Sequence, residues 1–259
     1  MAKKKITVER LRRLNFIAFI FFALQITAMA LIAKFDVKFP INLNYLSFNT
    51  ATRSLDSATE NIYQLPLVWP ILAFLAMSML AHLIITTVWY RGYKKDLQKG
   101  MNRARWIEYS FSASTMIVAI ALLSGIYDLA SLIMLFVLIM IMNLLGLIME
   151  VHNQTTEKTS WLSYNVGWIA GIVPWVVIAL YFWASASNAP GDTPIPAFVY
   201  WIYVTIFLFF NCFAINMFLQ YKKWGPWKNY LFGERVYIIL SFVAKTALAW
   251  QVFAGTLRP

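Results

Sequence analysis

Charge is what this 259-residue sequence has least of: 13% of residues are Asp, Glu, Lys or Arg, and only 11 are acidic. Soluble domains carry about 25% charged residues, so the composition excludes a water-exposed globular fold. A single cysteine, Cys212, lies within an apolar run, which rules out a disulfide framework and a cysteine metal site. No ATP, metal or nucleic-acid motif is present. The basic start, Met-Ala-Lys-Lys-Lys, is followed by a stretch too long for a signal peptide and without a cleavage site. It reads as a retained first helix. What the chain has in quantity is apolar surface. Hydrophobic residues make up 61%, in runs of about 20 that recur from end to end, the mark of an all-α, polytopic membrane protein.

Seven spans are expected, at about 14–33, 67–90, 104–127, 129–150, 162–186, 197–220 and 236–256, forming one membrane domain over residues 1–259. An odd number puts the termini on opposite sides. Seventeen Lys and Arg fall on the N-terminal side, in the N-terminal segment and the 2–3, 4–5 and 6–7 loops, while Lys34, Lys38, Arg53 and Arg258 fall on the other. The positive-inside rule then places the N-terminus in the cytoplasm and the C-terminus outside the cell membrane. The net charge of +11 thus reports topology, with no nucleic-acid partner implied. The 3–4 turn at Tyr127-Asp128 is short, so its helices are antiparallel neighbours. The 5–6 loop, Ser187 to Pro196, holds three prolines and is expected to be irregular. The 1–2 loop, Lys34 to Leu65, is the long one. Its start alternates apolar and polar residues, which predicts a short strand or hairpin in an ordered outer cap. Aromatic residues at span ends, Trp106 and Trp161 among them, suit interfacial belts, and Gly167-Trp-Ile-Ala-Gly171 is a GxxxG that packs a neighbouring helix or a second protomer.

Lys245 stands out against this background. It sits near the middle of span 7, where a charge costs about 2.5–3.5 kcal/mol on insertion scales. Glu108, the one acid clearly inside a span, lies at matching depth on span 3, roughly 10–14 Å in at 1.5 Å per residue. A Glu108–Lys245 pair follows, and position alone leaves open a structural salt bridge or a functional site. Glu108, Ser112 and Thr115 share a helix face. Ser241 is one turn from Lys245, and Ser78, His82 and Thr86 form a polar stripe on span 2. Met116, Met142, Trp175, Phe207, Phe209, Phe210, Phe213 and Trp250 are a candidate apolar lining. Such residues are usually core, but a polyene ligand wants the same surroundings. A lysine carrying an aldehyde as a Schiff base keeps a titratable nitrogen that needs a counterion. That accounts for lysine, glutamate and aromatics together.

Along essentially its whole length the sequence resembles the heliorhodopsins, microbial-type rhodopsins of inverted topology. The resemblance is carried by Arg105-Trp-Ile-Glu108-Tyr-Ser, by Gly171-Ile-Val-Pro-Trp175, and by Asn229-Tyr-Leu-Phe-Gly-Glu234-Arg with Ser241-Phe-Val-Ala-Lys245-Thr-Ala-Leu-Ala-Trp250. It implies a light-sensing photoreceptor rather than an enzyme, with all-trans retinal on Lys245 as a Schiff base. Glu108 would be the counterion and Ser241 a close neighbour. Ser78, His82 and Tyr109 would belong to a polar network on the cytoplasmic side. It also implies a homodimer, with the 1–2 loop contributing outside, and leaves room for a cytoplasmic signalling partner. The chain departs from the pattern at Phe22, where some members have a second histidine, leaving His82 to act alone or with Gln25 and water. It also has Ile139 where an asparagine is expected, with Asn143 one turn on.

Outward proton pumps place a carboxylate four residues before the lysine and another eleven after the span 3 counterion. Here those positions are Ser241 and Ala119. The expectation is therefore a sensor with a slow conformational signal and little or no ion transport. The alternative is a light-driven proton carrier or channel using Glu150 and Glu234, which otherwise read as solvated helix-end charges.

Overall fold

The computed structural model describes residues 6–33, 35–188 and 197–256. Its elements in chain order are α1 (Val8–Ile32), β1 (Lys38–Asn49), β2 (Ser54–Pro66), α2 (Val68–Thr86), α3 (Tyr90–Gln98), α4 (Arg103–Leu123), α5 (Leu129–His152), α6 (Leu162–Ser187), α7 (Ala197–Tyr221), a 3-10 turn (Gly225–Lys228) and α8 (Tyr230–Thr256). All the α-helices but α3 are long and apolar enough to span a bilayer, so the described residues form a seven-transmembrane-helix bundle. In the bundle α1 packs on α2 and α8, α2 on α4, α4 on α5, α5 on α6, and α7 on α8. The main core is apolar and runs through Phe22, Phe74, Ile117, Leu135, Ile139, Ile178 and Leu248. Much of the 5–6 loop, the first five residues, Lys34 and Arg258 lie outside the described residues.

Several boundaries differ from the hydropathy reading: α1 starts at Val8 rather than 14, so Glu9, Arg10, Arg12 and Arg13 are helical, and α4 ends at Leu123 rather than 127. The second span stops at Thr86, where Thr86 Oγ1 and Thr87 Oγ1 each donate to backbone carbonyls of the preceding turn (2.7 and 2.6 Å). The chain then turns into the short amphipathic helix α3, which buries Tyr93, Asp96 and Leu97 and exposes Arg91, Lys94 and Lys95. The last helix begins at Tyr230 rather than at 236, so Glu234 and Arg235 are helical. Hydropathy misses that turn because a Glu-Arg pair lowers the window average without preventing helix formation.

The 1–2 connection is an antiparallel hairpin with strands of 12 and 13 residues, longer than the short element the alternation predicted. Its tip is tied by Asn49, whose Oδ1 accepts from Ala51 N at 3.0 Å and whose Nδ2 donates to Asp56 at 2.8 Å. The turn needs a left-handed residue, supplied by Arg53 at φ 52°. The base docks on the 3–4 turn. Asn42 N donates to Tyr127 O at 2.9 Å, Phe39 stacks on Tyr127, and Asn44 Nδ2 donates to Asp128 Oδ1 at 3.0 Å. Asp128 is also the N-cap of α5, accepting from Ser131 N and Ser131 Oγ, both at 2.8 Å.

Asp128 thus joins cap and helix. The Ser131 backbone N–H, then the Ser131 hydroxyl, holds its carboxyl below the usual aspartate range. A carboxylate of depressed pKa stabilises the fold above its unfolded value of about 3.9 and loses that contribution as pH falls through the folded value. Asp128→Ala should therefore cost about 1 kcal/mol at neutral pH. In detergent thermal melts the gap between mutant and wild type should begin to narrow below about pH 4 and close only as pH falls through the lower folded value. A gap that does not narrow at all from neutral pH to the acid limit would mean that the carboxylate is not the capping group.

Candidate functional site

Three helices converge on one buried ion pair. Lys245, from the middle of α8, donates from Nζ to Glu108 Oε1 of α4 at 2.6 Å. Ser78 of α2 sits between them: its Oγ accepts from Lys245 Nζ and donates to Glu108 Oε1, each at 2.6 Å. The lysine and glutamate side chains are 4% and 9% exposed, so neither charge is relieved by solvent. Lys245 Nζ also lies 5.0 Å from the centre of the Tyr109 ring, and Tyr109 Oη donates to the Tyr237 carbonyl (3.1 Å). The hydroxyls of Ser112, one turn along from Glu108, and of Ser241, one turn from Lys245, are buried without hydrogen-bond partners of normal geometry. Buried hydroxyls in that state are unusual, and both lie on the ion-pair side of their helices.

His82 is one turn from Ser78 on α2, and its neighbours differ from those expected. Its Nδ1 lies 2.7 Å from Asn15 Oδ1. Asn15 Nδ2 in turn donates to Leu11 O (2.8 Å) and to Tyr93 Oη (3.1 Å). Gln25 is not in this chain; its Oε1 accepts from Trp250 Nε1 at 3.2 Å. Phe22, where a second histidine could have stood, stacks on the His82 ring with centroids 5.6 Å apart. Asn15 escaped notice because it falls at the edge of the first apolar run. Its spacing from Phe22, two helical turns, is the signal that could have found it.

A second ionic centre was missed. Glu150 and Glu234, expected as solvated helix-end charges, are each about 1% exposed. Arg105 lies between them, with Nη2 2.5 Å from Glu150 Oε1 and Nη1 in close contact with Glu234 Oε2. Asn102, the N-cap of α4, donates its backbone N–H to Glu150 (2.8 Å) and its side-chain amide to Glu234 (2.6 Å). The Arg105 guanidinium stacks on the Tyr237 ring at 3.8 Å. Trp106, expected at the membrane interface, is buried instead, and a Cβ on Gly146 would fall 2.5 Å from its ring. Three of the four groups come from helices far apart in sequence, so linear spacing carried no hint of the cluster. Between the two ionic centres lies a small cavity of about 30 Å³ lined by Asn15, His82, Arg105, Glu108, Tyr109, Glu234 and Ser241 among others.

A third feature is apolar. A cleft of about 90 Å³ between α4, α5, α6 and α7 is walled by Met142, Trp175 and Phe210, with Asn143, Gly167, Gly171 and Phe213. The GxxxG glycines therefore face α5: a Cβ on Gly171 would lie 2.5 Å from Met142 Sδ. Asn143 Nδ2 donates to Ile139 O, one turn back (2.8 Å). Lys245 is not on the cleft wall. Trp175 belongs to the same apolar cluster as Met116 and Leu248, and Phe210 and Phe242 pack against it. Phe242 and Leu248 flank Lys245 in sequence, so the same apolar cluster takes in the α8 turn holding Lys245. Phe209 is half-buried outside the cleft, and Trp250 faces α1 rather than the cleft. The chemistry of these residues suits an elongated apolar ligand with one reactive end: a cleft lined mostly by carbon, a buried primary amine, a carboxylate at hydrogen-bond distance from that amine, and the buried hydroxyls of Ser112 and Ser241 one turn from them.

The sequence model of the heliorhodopsin family matches residues 11–257 of this chain. No curated protein matches it in sequence.

The Arg105 centre yields a stability test. Removing one partner of a buried ion pair leaves an uncompensated charge and typically costs about 3–5 kcal/mol. Arg105→Leu should lower stability by about that amount in denaturant titrations in detergent. Adding Glu150→Leu and Glu234→Leu should recover most of it. A triple variant as unstable as the single one would show that Arg105 stabilises by packing alone.

Proposed function

This chain belongs to the heliorhodopsin family of retinal-binding, light-sensing membrane proteins, and on that premise we propose that Lys245 is the point of retinal attachment and Glu108 the counterion of a photoreceptor with little or no ion transport. The Lys245–Glu108 contact of 2.6 Å carries this reading. Bound all-trans retinal supplies an aldehyde carbon that condenses with an amine, releasing water, and a polyene that absorbs visible light and changes shape. The side chains supply the rest. Glu108 balances the cation on the Lys245 nitrogen, and Ser78 fixes the geometry of both. Ser112 and Ser241 offer hydroxyls to either. Met142, Trp175 and Phe210 exclude water from the polyene, with Met116 behind them.

The signal then follows from connectivity. Moving the Lys245 nitrogen away from Glu108 uncouples α8 from α4 and α2. The same α8 is tied through Glu234 to Arg105 of α4, and through Arg105 to Glu150 of α5. A displacement at Lys245 is therefore carried to the end of the bundle bearing the basic loops. That end is the cytoplasmic one under the positive-inside rule, and its reader is a cytoplasmic partner. The whole chain acts as one retinal-binding domain. A homodimer suits the exposed apolar residues of the hairpin, of which Leu46, Phe48 and Leu55 are each more than 60% exposed. The alternative, a light-driven proton carrier, draws on the polar cavity that reaches from Glu108 to Glu234.

Reconstituted with all-trans retinal, the protein should become coloured and Lys245→Ala should stay colourless; a colourless wild type would sink both readings. In Glu108→Gln the protonated, visible-absorbing form loses its partner, so its band should vanish at a pH about 1–3 units lower than in wild type. An unchanged titration would reject Glu108 as the counterion. A protonophore-sensitive, light-driven pH change in intact cells would favour the carrier over the sensor.

A further inference from the structure

Glu108 has a second environment that the retinal reading does not use. Between α2 and α4, on the outside of the bundle, runs a groove of about 510 Å³. Met77, Leu80, Ile84, Ile107 and Phe111 make it almost wholly apolar, and its two charged residues are Arg103 at one end and Glu108 on the floor. Ala81, Ile85, Ala104 and Glu108 line both this groove and the inner polar cavity. Two alanines thus stand where larger residues would have thickened the wall between bilayer and counterion. Both helices are membrane spans, so what faces the groove is hydrocarbon. From Arg103 to Phe111 is eight residues, about 12 Å of helix, or most of one leaflet of a hydrocarbon core about 30 Å thick.

The charged end indicates the headgroup. Arg103 is half-exposed beside Trp89, paired with Asp96 on α3. Exposed Lys95 and Lys99 lie on the same short segment, so that segment together with Arg103 sets three basic residues against Asp96. We infer that this groove is a lipid site: it holds one acyl chain of an anionic phospholipid, phosphate toward Arg103 and chain laid over Glu108. The lipid completes the wall that Ala81 and Ala104 leave thin, and keeps water from reaching the counterion from the membrane side. Where Glu108 serves as counterion, as proposed above, the occupant of the groove also sets the polarity around it and so tunes the colour of the pigment.

The lipid site is tested without retinal. The protein is placed in vesicles containing phosphatidylglycerol with a photoreactive diazirine on one chain, irradiated, and its adducts are mapped by mass spectrometry. Adducts should concentrate on Glu108 and Phe111, about fivefold above those from phosphatidylcholine bearing the same chain, the effect of one basic residue at a membrane surface. Ala104→Phe, and the milder filler Ala81→Leu, should abolish the Glu108 adduct and leave those on outward residues such as Leu180 unchanged. Adducts spread evenly over all spans, no headgroup preference, or a Glu108 adduct that survives both fillers would overturn the site. So would a protein–protein crosslink through the groove in place of lipid. With retinal bound, the fillers should shift the absorption maximum, and an unshifted band would overturn the tuning. A wild type that stays colourless tells against the retinal reading while the adduct map still decides the lipid site.

Discussion

A lysine ammonium held against a carboxylate inside a bilayer fixes much of this structure. Neither Lys245 nor Glu108 is tolerable there alone, and the pair is tolerable only if its remaining hydrogen-bonding capacity is met. Ser78 meets part of it from a third helix. The contact therefore dictates that α2, α4 and α8 meet at one depth, although they are more than a hundred residues apart at the extremes. The apolar core leaves more freedom, since Leu, Ile and Phe on these helices could pack in several rotations with similar burial. The ion pair selects one.

Two ionic centres share the same two helices, and side-chain direction explains how. On α4, Arg105 and Glu108 are one turn apart, about 5 Å, while on α8 Glu234 and Lys245 are eleven residues apart, about 16 Å. Helical side chains tilt toward the helix N-terminus, and both helices start at the same end of the bundle. Arg105 therefore reaches toward that end to meet Glu234, and Lys245 reaches down toward it to meet Glu108. The long, unbranched side chains absorb the mismatch between the helices. The polar cavity is the volume left between them, and His82 and Asn15 line its remaining side.

The spans, the hairpin and the Lys245–Glu108 pair were legible in the sequence because each leaves a local trace: an apolar run, an alternation, a charge where none is tolerated. The Arg105 centre was not. Its members fall where hydropathy changes sign, and from there a buried arginine looks like one more positive charge in a cytoplasmic loop. Asn15 was hidden for the same reason. Trp106 and the GxxxG glycines carried real signals with ambiguous meaning, since an aromatic near a span end serves a belt or a core equally well. Trp250 and Phe209, read as lining from composition, do not line the cleft of Met142, Trp175 and Phe210. On a helix apolar all round, periodicity does not say which face meets the ligand.

Whether the polar cavity serves a carrier or a sensor turns on how firmly its far end is closed. A carrier needs an acceptor that is free to change protonation and then meet solvent. Glu234 and Glu150 lie at the right end but are engaged, each by Arg105 and by an Asn102 donor, and Tyr230 Oη adds a bond to Glu150 (3.3 Å). Freeing either would mean breaking charge-assisted hydrogen bonds in a desolvated site, where such bonds are strongest. Ser241, between Glu234 and Lys245 on the same helix, accepts or donates a hydrogen bond but has no accessible second charge state. On the reading proposed above, charge displaced from Lys245 is thus better suited to push on the Arg105 lock than to pass through it.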